Sequence, residues 1–128
     1  MAELIMIDTS ILIDFYRKSD KTNSVWYKLV KQNYVFAVST VTKYEIYAGA
    51  TESQLEFWDS VFKNITILSF DEKTTNEAVN INAILKKKNK QIAIADLFIA
   101  ATAVVWRFPF VTLNKKHFER IDGLEMID

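Results

Sequence analysis

The chain has 128 residues, enough for one domain with a real core and too few for two ordinary ones. Half the residues are apolar and a quarter are charged, with only two glycines and one proline, which excludes long disordered linkers. Cysteine is absent, so disulfides, thiolate catalysis and zinc–sulfur sites are excluded, and a net charge of zero argues against strong non-specific binding to nucleic acid.

The first apolar run, Leu4 to Ile7, stops at Asp8-Thr9-Ser10 and resumes as Ile11-Leu12-Ile13. This reads as a buried strand feeding a helix, with Asp8, Thr9 or Ser10 as the N-cap. After a polar break, residues 24–32 predict a helix with Val25, Trp26, Leu29 and Val30 on one face. Val35 to Val38 is a second strand, and Ser39-Thr40 caps a helix from Val41 to Ala48 that Gly49 ends. In that helix Val41, Tyr44 and Ala48 form a stripe, with Glu45 and Ile46 beside it. Residues 52–62 predict another amphipathic helix, and Ile65 to Leu68 a β-branched strand. Asp71 caps a long helix through about Lys88 with Ala78, Val79, Ile81, Ile84 and Leu85 on one side. Asp96 opens an almost wholly apolar helix to Trp106, and Phe110 to Thr112 and Leu124 to Ile127 are the last strands.

Short continuous apolar strands alternating with helices indicate α/β architecture. The expectation is one domain over residues 1–128, a three-layer α/β/α arrangement around a mostly parallel sheet of four to five strands. In such sheets ligands bind beyond the carboxyl ends of the strands, near a topological switch. The chain opens on no basic, apolar leader, and its longest apolar stretch is about half a membrane span. A soluble cytoplasmic protein with no membrane partner is therefore expected.

Three acids stand where a carboxylate is costly. Asp96 lies at the edge of a helix that is apolar on all sides, so its carboxylate must be hydrogen-bonded, paired or bound to metal. Asp8 ends a buried strand, and Thr9 and Ser10 leave it dispensable as a cap. Glu45 sits inside a short helix, where pairing with Lys43 is the ordinary alternative. Together they make a hard, oxygen-lined set suited to Mg²⁺ or Mn²⁺ rather than zinc, and so to phosphoryl chemistry. The lysine clusters at residues 86–90 and 115–120 read as solvated faces or as contacts to RNA. His117 is the only histidine, with no nucleophile elbow to support a triad.

Four segments carry a resemblance: residues 7–14 (IDTSILID), 44–49 (YEIYAG), 94–103 (IADLFIAATA) and 112–118 (TLNKKHF). In order, spacing and chain length they resemble the PIN-domain family, in particular its VapC-type toxins, essentially end to end. The resemblance implies a Mg²⁺- or Mn²⁺-dependent endoribonuclease acting on RNA, homodimeric and inhibited by a small cognate VapB-like antitoxin. It implies that Asp8, Asp96 and Glu45 are metal ligands, Glu45 directly or through water. It also implies a fourth acidic or polar group after the last buried strand, where this chain offers Asn114 and His117. Many relatives carry an acid where His117 stands, so this chain departs from the pattern there. Asp14 reads instead as a surface or helix-pairing acid, and Trp26, Tyr27, Trp58 and Phe62 as aromatic surface for an interface. Two other readings are a PIN fold kept as an RNA-binding or scaffold protein without activity, and a receiver-like module with Asp71 as phospho-acceptor and Lys115 as its lysine.

Overall fold

Apolar residues on successive strand positions must face opposite sides of a sheet, so a continuous apolar strand needs a core on each face. A computed structural model, which describes residues 2–127, shows how this demand is met. Strand β1 is Leu4–Ile7, β2 Val35–Ser39, β3 Thr66–Leu68 and β4 Phe110–Val111. Ile5 and Ile7 of β1, Phe36 and Val38 of β2 and Val111 of β4 point to one core. Met6, Ala37, Leu68 and Phe110 point to the other.

The first core is closed by α1 (Thr9–Arg17), α2 (Val25–Lys31), α3 (Thr40–Gly49) and α4 (Leu55–Phe62), through Ile11, Leu12, Leu29, Ile46, Trp58 and Val61. The second is closed by α5 (Glu72–Lys87), α6 (Ile94–Trp106) and the short α7 (Lys115–Phe118). These layers form the expected α/β/α sandwich. All strand pairings are parallel and the spatial order is β3-β2-β1-β4, with Met6 in register with Ala37 on one side and Phe110 on the other. From β1 the chain builds outward to β2 and β3, then crosses back to lay β4 on β1's free side. The switch point is therefore the β1/β4 pair.

Several expectations need correction. The segment 124–127 forms no fifth strand; it runs beside Phe110 through a single bridge at Met126, with Phe110 N–H donating to the Glu125 carbonyl at 2.8 Å. Residues 52–62 split into a 3₁₀ turn at Glu52–Gln54 and α4, because Thr51 and Gln54 satisfy each other in a capping box there. Gly49 is the last residue of α3, and the chain leaves through an extended Ala50, so no left-handed glycine ends that helix. Of the five apolar residues named on α5, Ala78, Ile81 and Leu85 are buried, whereas Val79 and Ile84 are exposed, as are Val30 on α2 and Tyr44 on α3. The buried stripe of α3 is Thr42 and Ile46. Trp58 is buried, with the Phe62 ring against it, and Trp26 packs edge-on against Phe36, so these aromatics fill the molecule's own core. Among the described residues no helix is long and apolar enough to cross a membrane.

Candidate metal centre at the sheet switch point

Asp8 follows the last residue of β1, the central strand at the switch. It occupies the N-cap position of α1, yet its side chain caps nothing. It is 2% exposed. Ser10 Oγ donates to its Oδ1 at 2.5 Å, and Thr112 Oγ1 to its Oδ2 at 2.7 Å. Both hydroxyls are themselves held, because Ser10 Oγ accepts from the Leu113 N–H at 3.0 Å and Thr112 Oγ1 from the Asn114 N–H at 2.9 Å. The network ties the β1–α1 junction to the β4–α7 junction across the switch. Ser10 thus holds the Asp8 carboxylate instead of capping α1. Thr112 was missed, although a threonine closing an apolar strand was its one visible signal.

Asp96 is the third residue of α6, whose N-cap is Ala93, so it does not open the helix as its position in the apolar run suggested. It therefore has the first-turn location that favours an anion, with half-buried surroundings and no capping role. Glu45 is fixed by Thr9 Oγ1, which donates to Oε1 at 2.6 Å. No pairing with Lys43 is needed to account for it. Asn114 is the N-cap residue of α7, with its side chain free of any capping bond. His117 Nδ1 stands 3.8 Å from Asp96 Oδ2, and its side chain is about half exposed.

Asp8, Glu45, Asp96 and Asn114 line one cavity of about 580 Å³, with Thr9, Ser10 and Asp14 in its wall and Arg17 and Lys18 also bordering it. His117 touches the set from the side through Asp96 rather than lining that cavity. Asp14 accepts from the Val25 N–H at 3.0 Å and pairs with Lys18 at 3.5 Å, so it joins α1 to α2 as a helix-pairing acid. Asp71, the receiver-like acceptor, lies outside the cavity and caps α5 by accepting from the Thr74 N–H.

The carboxylates are held at an electrostatic cost. Burial pushes the Asp8 carboxyl above its ordinary range, its two hydroxyl donors oppose that, and the Asp96 charge adds to it. Asp96 is also raised, first by burial and then by the Glu45 charge, with His117 pulling the other way. Among the described residues, no three acidic, histidine or cysteine groups stand close enough to enclose a metal ion unaided. That arrangement still fits Mg²⁺ or Mn²⁺, since Mg²⁺ keeps several waters and takes only one or two carboxylates. The donors are all oxygen, the Asp96 charge adds to the proton affinity of Asp8 and the Glu45 charge to that of Asp96, and their hydroxyl partners leave lone pairs unused. A divalent cation relieves each of these conditions.

A PIN-domain family model matches residues 5–124. The chain belongs to the PIN-domain family. Within it, this PIN domain is 35% identical to the ribonuclease VapC1 of Methanocaldococcus jannaschii, over 97% of its own length and 87% of that protein. It is 30% identical to the ribonuclease VapC of Rickettsia bellii, over 96% and 94%. The fold is that of solved VapC-containing structures. The DNA-bound VapBC of Salmonella typhimurium superposes with a TM-score of 0.83 at 24% identity, covering 100% of this chain and 98% of that one. VapBC-1 from nontypeable Haemophilus influenzae gives 0.81 at 22% identity, covering 98% and 97%.

Proposed function

We propose that this PIN domain is the toxin of a VapBC-type pair, an endoribonuclease that hydrolyses RNA phosphodiester bonds with Mg²⁺ or Mn²⁺. The observation that carries the reading is the meeting of Asp8, Glu45, Asp96 and Asn114 at the β1/β4 switch, in a chain 35% identical to a ribonuclease VapC. Asp8 and Asp96 would hold the cation, and Glu45 would join them directly or through water. When bound, the cation supplies Lewis acidity toward the phosphate and lowers the pKa of a coordinated water. Ser10 and Thr112 keep both oxygens of Asp8 in fixed orientation, and Thr9 does the same for one oxygen of Glu45. The Asn114 amide is free to contact substrate or a metal-held water. The partner is a VapB-like antitoxin, a reading supported by solved relatives that are VapBC complexes. A homodimer is part of the same proposal, with Tyr44, Val79, Ile84 and Ile94 as exposed apolar side chains available to an interface.

Asp8→Asn and Asp96→Asn test the reading, because each keeps side-chain shape while removing the charge that would hold the cation. Both variants are expected to lose measurable RNA cleavage with an unchanged far-ultraviolet circular dichroism spectrum. Wild-type rates in either folded variant would rule the metal site out. A PIN fold retained without activity predicts no cleavage by the wild type either.

A further inference from the structure

The chain is neutral overall, yet its cations are not evenly spread. Residues 86–91 and 113–120 together hold seven of its sixteen Lys and Arg, against a single carboxylate, Glu119. The fold brings these two segments together. Arg120 Nη1 donates to the carbonyls of Lys90 and Gln91, each at 3.4 Å, which seats the α5–α6 loop against α7. The surface there is concave and continuous. The carboxylate cavity shares Leu113 and Asn114 with a hollow over α7, and that hollow shares Lys116 with a third, which contains Lys90 and Arg120. The groove begins one side chain away from Asp96, at His117.

Helix electrostatics explains part of this charge. Lys86 and Lys87 in the last turn of α5 complement the negative end of its dipole. Lys90 lies beyond the end of α5, and Lys116 sits in the single turn of α7, too short a helix for its dipole to call for so many cations; both are exposed on the walls of the same hollow. We propose that this groove is the path of the RNA backbone away from the cleavage site, with Lys90 and Lys116 meeting successive phosphates. The inference rests on the ribonuclease reading. It explains how a neutral protein gathers enough local charge to hold a polyanion, and it makes affinity depend on RNA length. RNA reaching only the carboxylate cavity gains nothing from the groove, whereas RNA extending past α7 does.

The test uses the full chain in EDTA and reads the fluorescence anisotropy of end-labelled, single-stranded oligoribonucleotides, one short enough to fill only the cavity and one extending beyond α7. Lys90→Gln/Lys116→Gln is compared with Lys31→Gln/Lys63→Gln, which removes the same charge from exposed positions at the ends of α2 and α4. For the long RNA, the groove variant is expected to lower the slope of log affinity against log salt by about 1.4, at about 0.7 per lost phosphate contact on a single strand. That corresponds to roughly tenfold weaker binding near 0.15 M salt. The control should bind like the wild type, and with Mg²⁺ restored the groove variant should cleave the short RNA at the wild-type rate. Equal losses in both variants, or none in the groove variant, would overturn the proposal. Unchanged RNA affinity with lost binding of a protein partner would overturn it too, and would reassign the groove as a docking surface. If the wild type neither bound nor cleaved either RNA, the ribonuclease reading would fall with it; cleavage without groove dependence would sink the groove alone.

Discussion

Thr112 holds three parts of the site at once: the Asp8 carboxylate, the Asn114 N–H and, at 3.5 Å, the Ser10 hydroxyl. Thr112→Val keeps the shape but leaves the 2%-exposed Asp8 short of a donor and the Asn114 amide without its acceptor. A buried polar group stripped of its partner costs about 1–3 kcal/mol, so chemical denaturation should show a loss of that size. Cleavage should fall as well, because Asp8 is then free to turn. Unchanged stability would mean that water replaces the hydroxyl. Asp96 behaves in the opposite sense. Its proton affinity is raised in the fold, so its contribution is favourable below the unfolded carboxylate pKa and is lost as pH rises through the folded value. In metal-free buffer Asp96→Asn should therefore melt with the wild type near pH 3.5 and above it at pH 7. A variant less stable than wild type at both pH values would contradict the repulsion between Asp96 and Glu45. His117 stands 3.8 Å from Asp96, at the position where the family resemblance leads one to expect an acid. If the site lacks that acid, His117→Asp should tighten Mn²⁺ binding in calorimetry while His117→Ala leaves it nearly unchanged. Identical isotherms for all three proteins would leave Asn114 as the fourth group.

At the scale of elements, the glycines separate helix ending from helix tolerance. Gly49 sits in α3 with a right-handed backbone and open space where a Cβ would go. Gly49→Ala should raise stability by about 0.5 kcal/mol through the entropy of the unfolded chain. Gly123 has φ of +85°, so the same substitution there is strained and should lower stability despite similar open space. Thermal melts of the two variants shifting in the same direction would contradict this distinction. The elements themselves were largely legible. β1, β2 and α6 announce themselves by apolar runs, and the strand–helix junctions by Asp8 and Ser39. What escaped was long-range. The stripe Val41–Tyr44–Ala48 gave no direction, and the face that is buried is that of Thr42 and Ile46, because α3 is oriented by its docking on α1 and α6, which helical periodicity cannot report. The terminal apolar segment 124–127 carries a strand's composition, but among the described residues only Phe110 bridges to it.

For the molecule as a whole, the same three acids that were conspicuous in the sequence for being costly where they stand are brought together by the crossover that puts β4 beside β1. Asp8 and Asp96 were legible because they lie at a strand end and at the edge of an apolar helix, where an unpaired charge is expensive, and Glu45 through the family resemblance. The hydroxyls that orient them were less so, since Thr112 differs from any other strand-end threonine only through the pairing of β4 with β1. In the proposed chemistry the metal is a requirement and the acids are its holders, with RNA as substrate. The most direct measurement is the rate of RNA cleavage as Mg²⁺ or Mn²⁺ is returned to EDTA-treated protein. The prediction is no cleavage in EDTA, saturable recovery with either ion, and no recovery with Ca²⁺, which prefers longer bonds and more ligands. Full cleavage in excess EDTA by highly purified protein would contradict it.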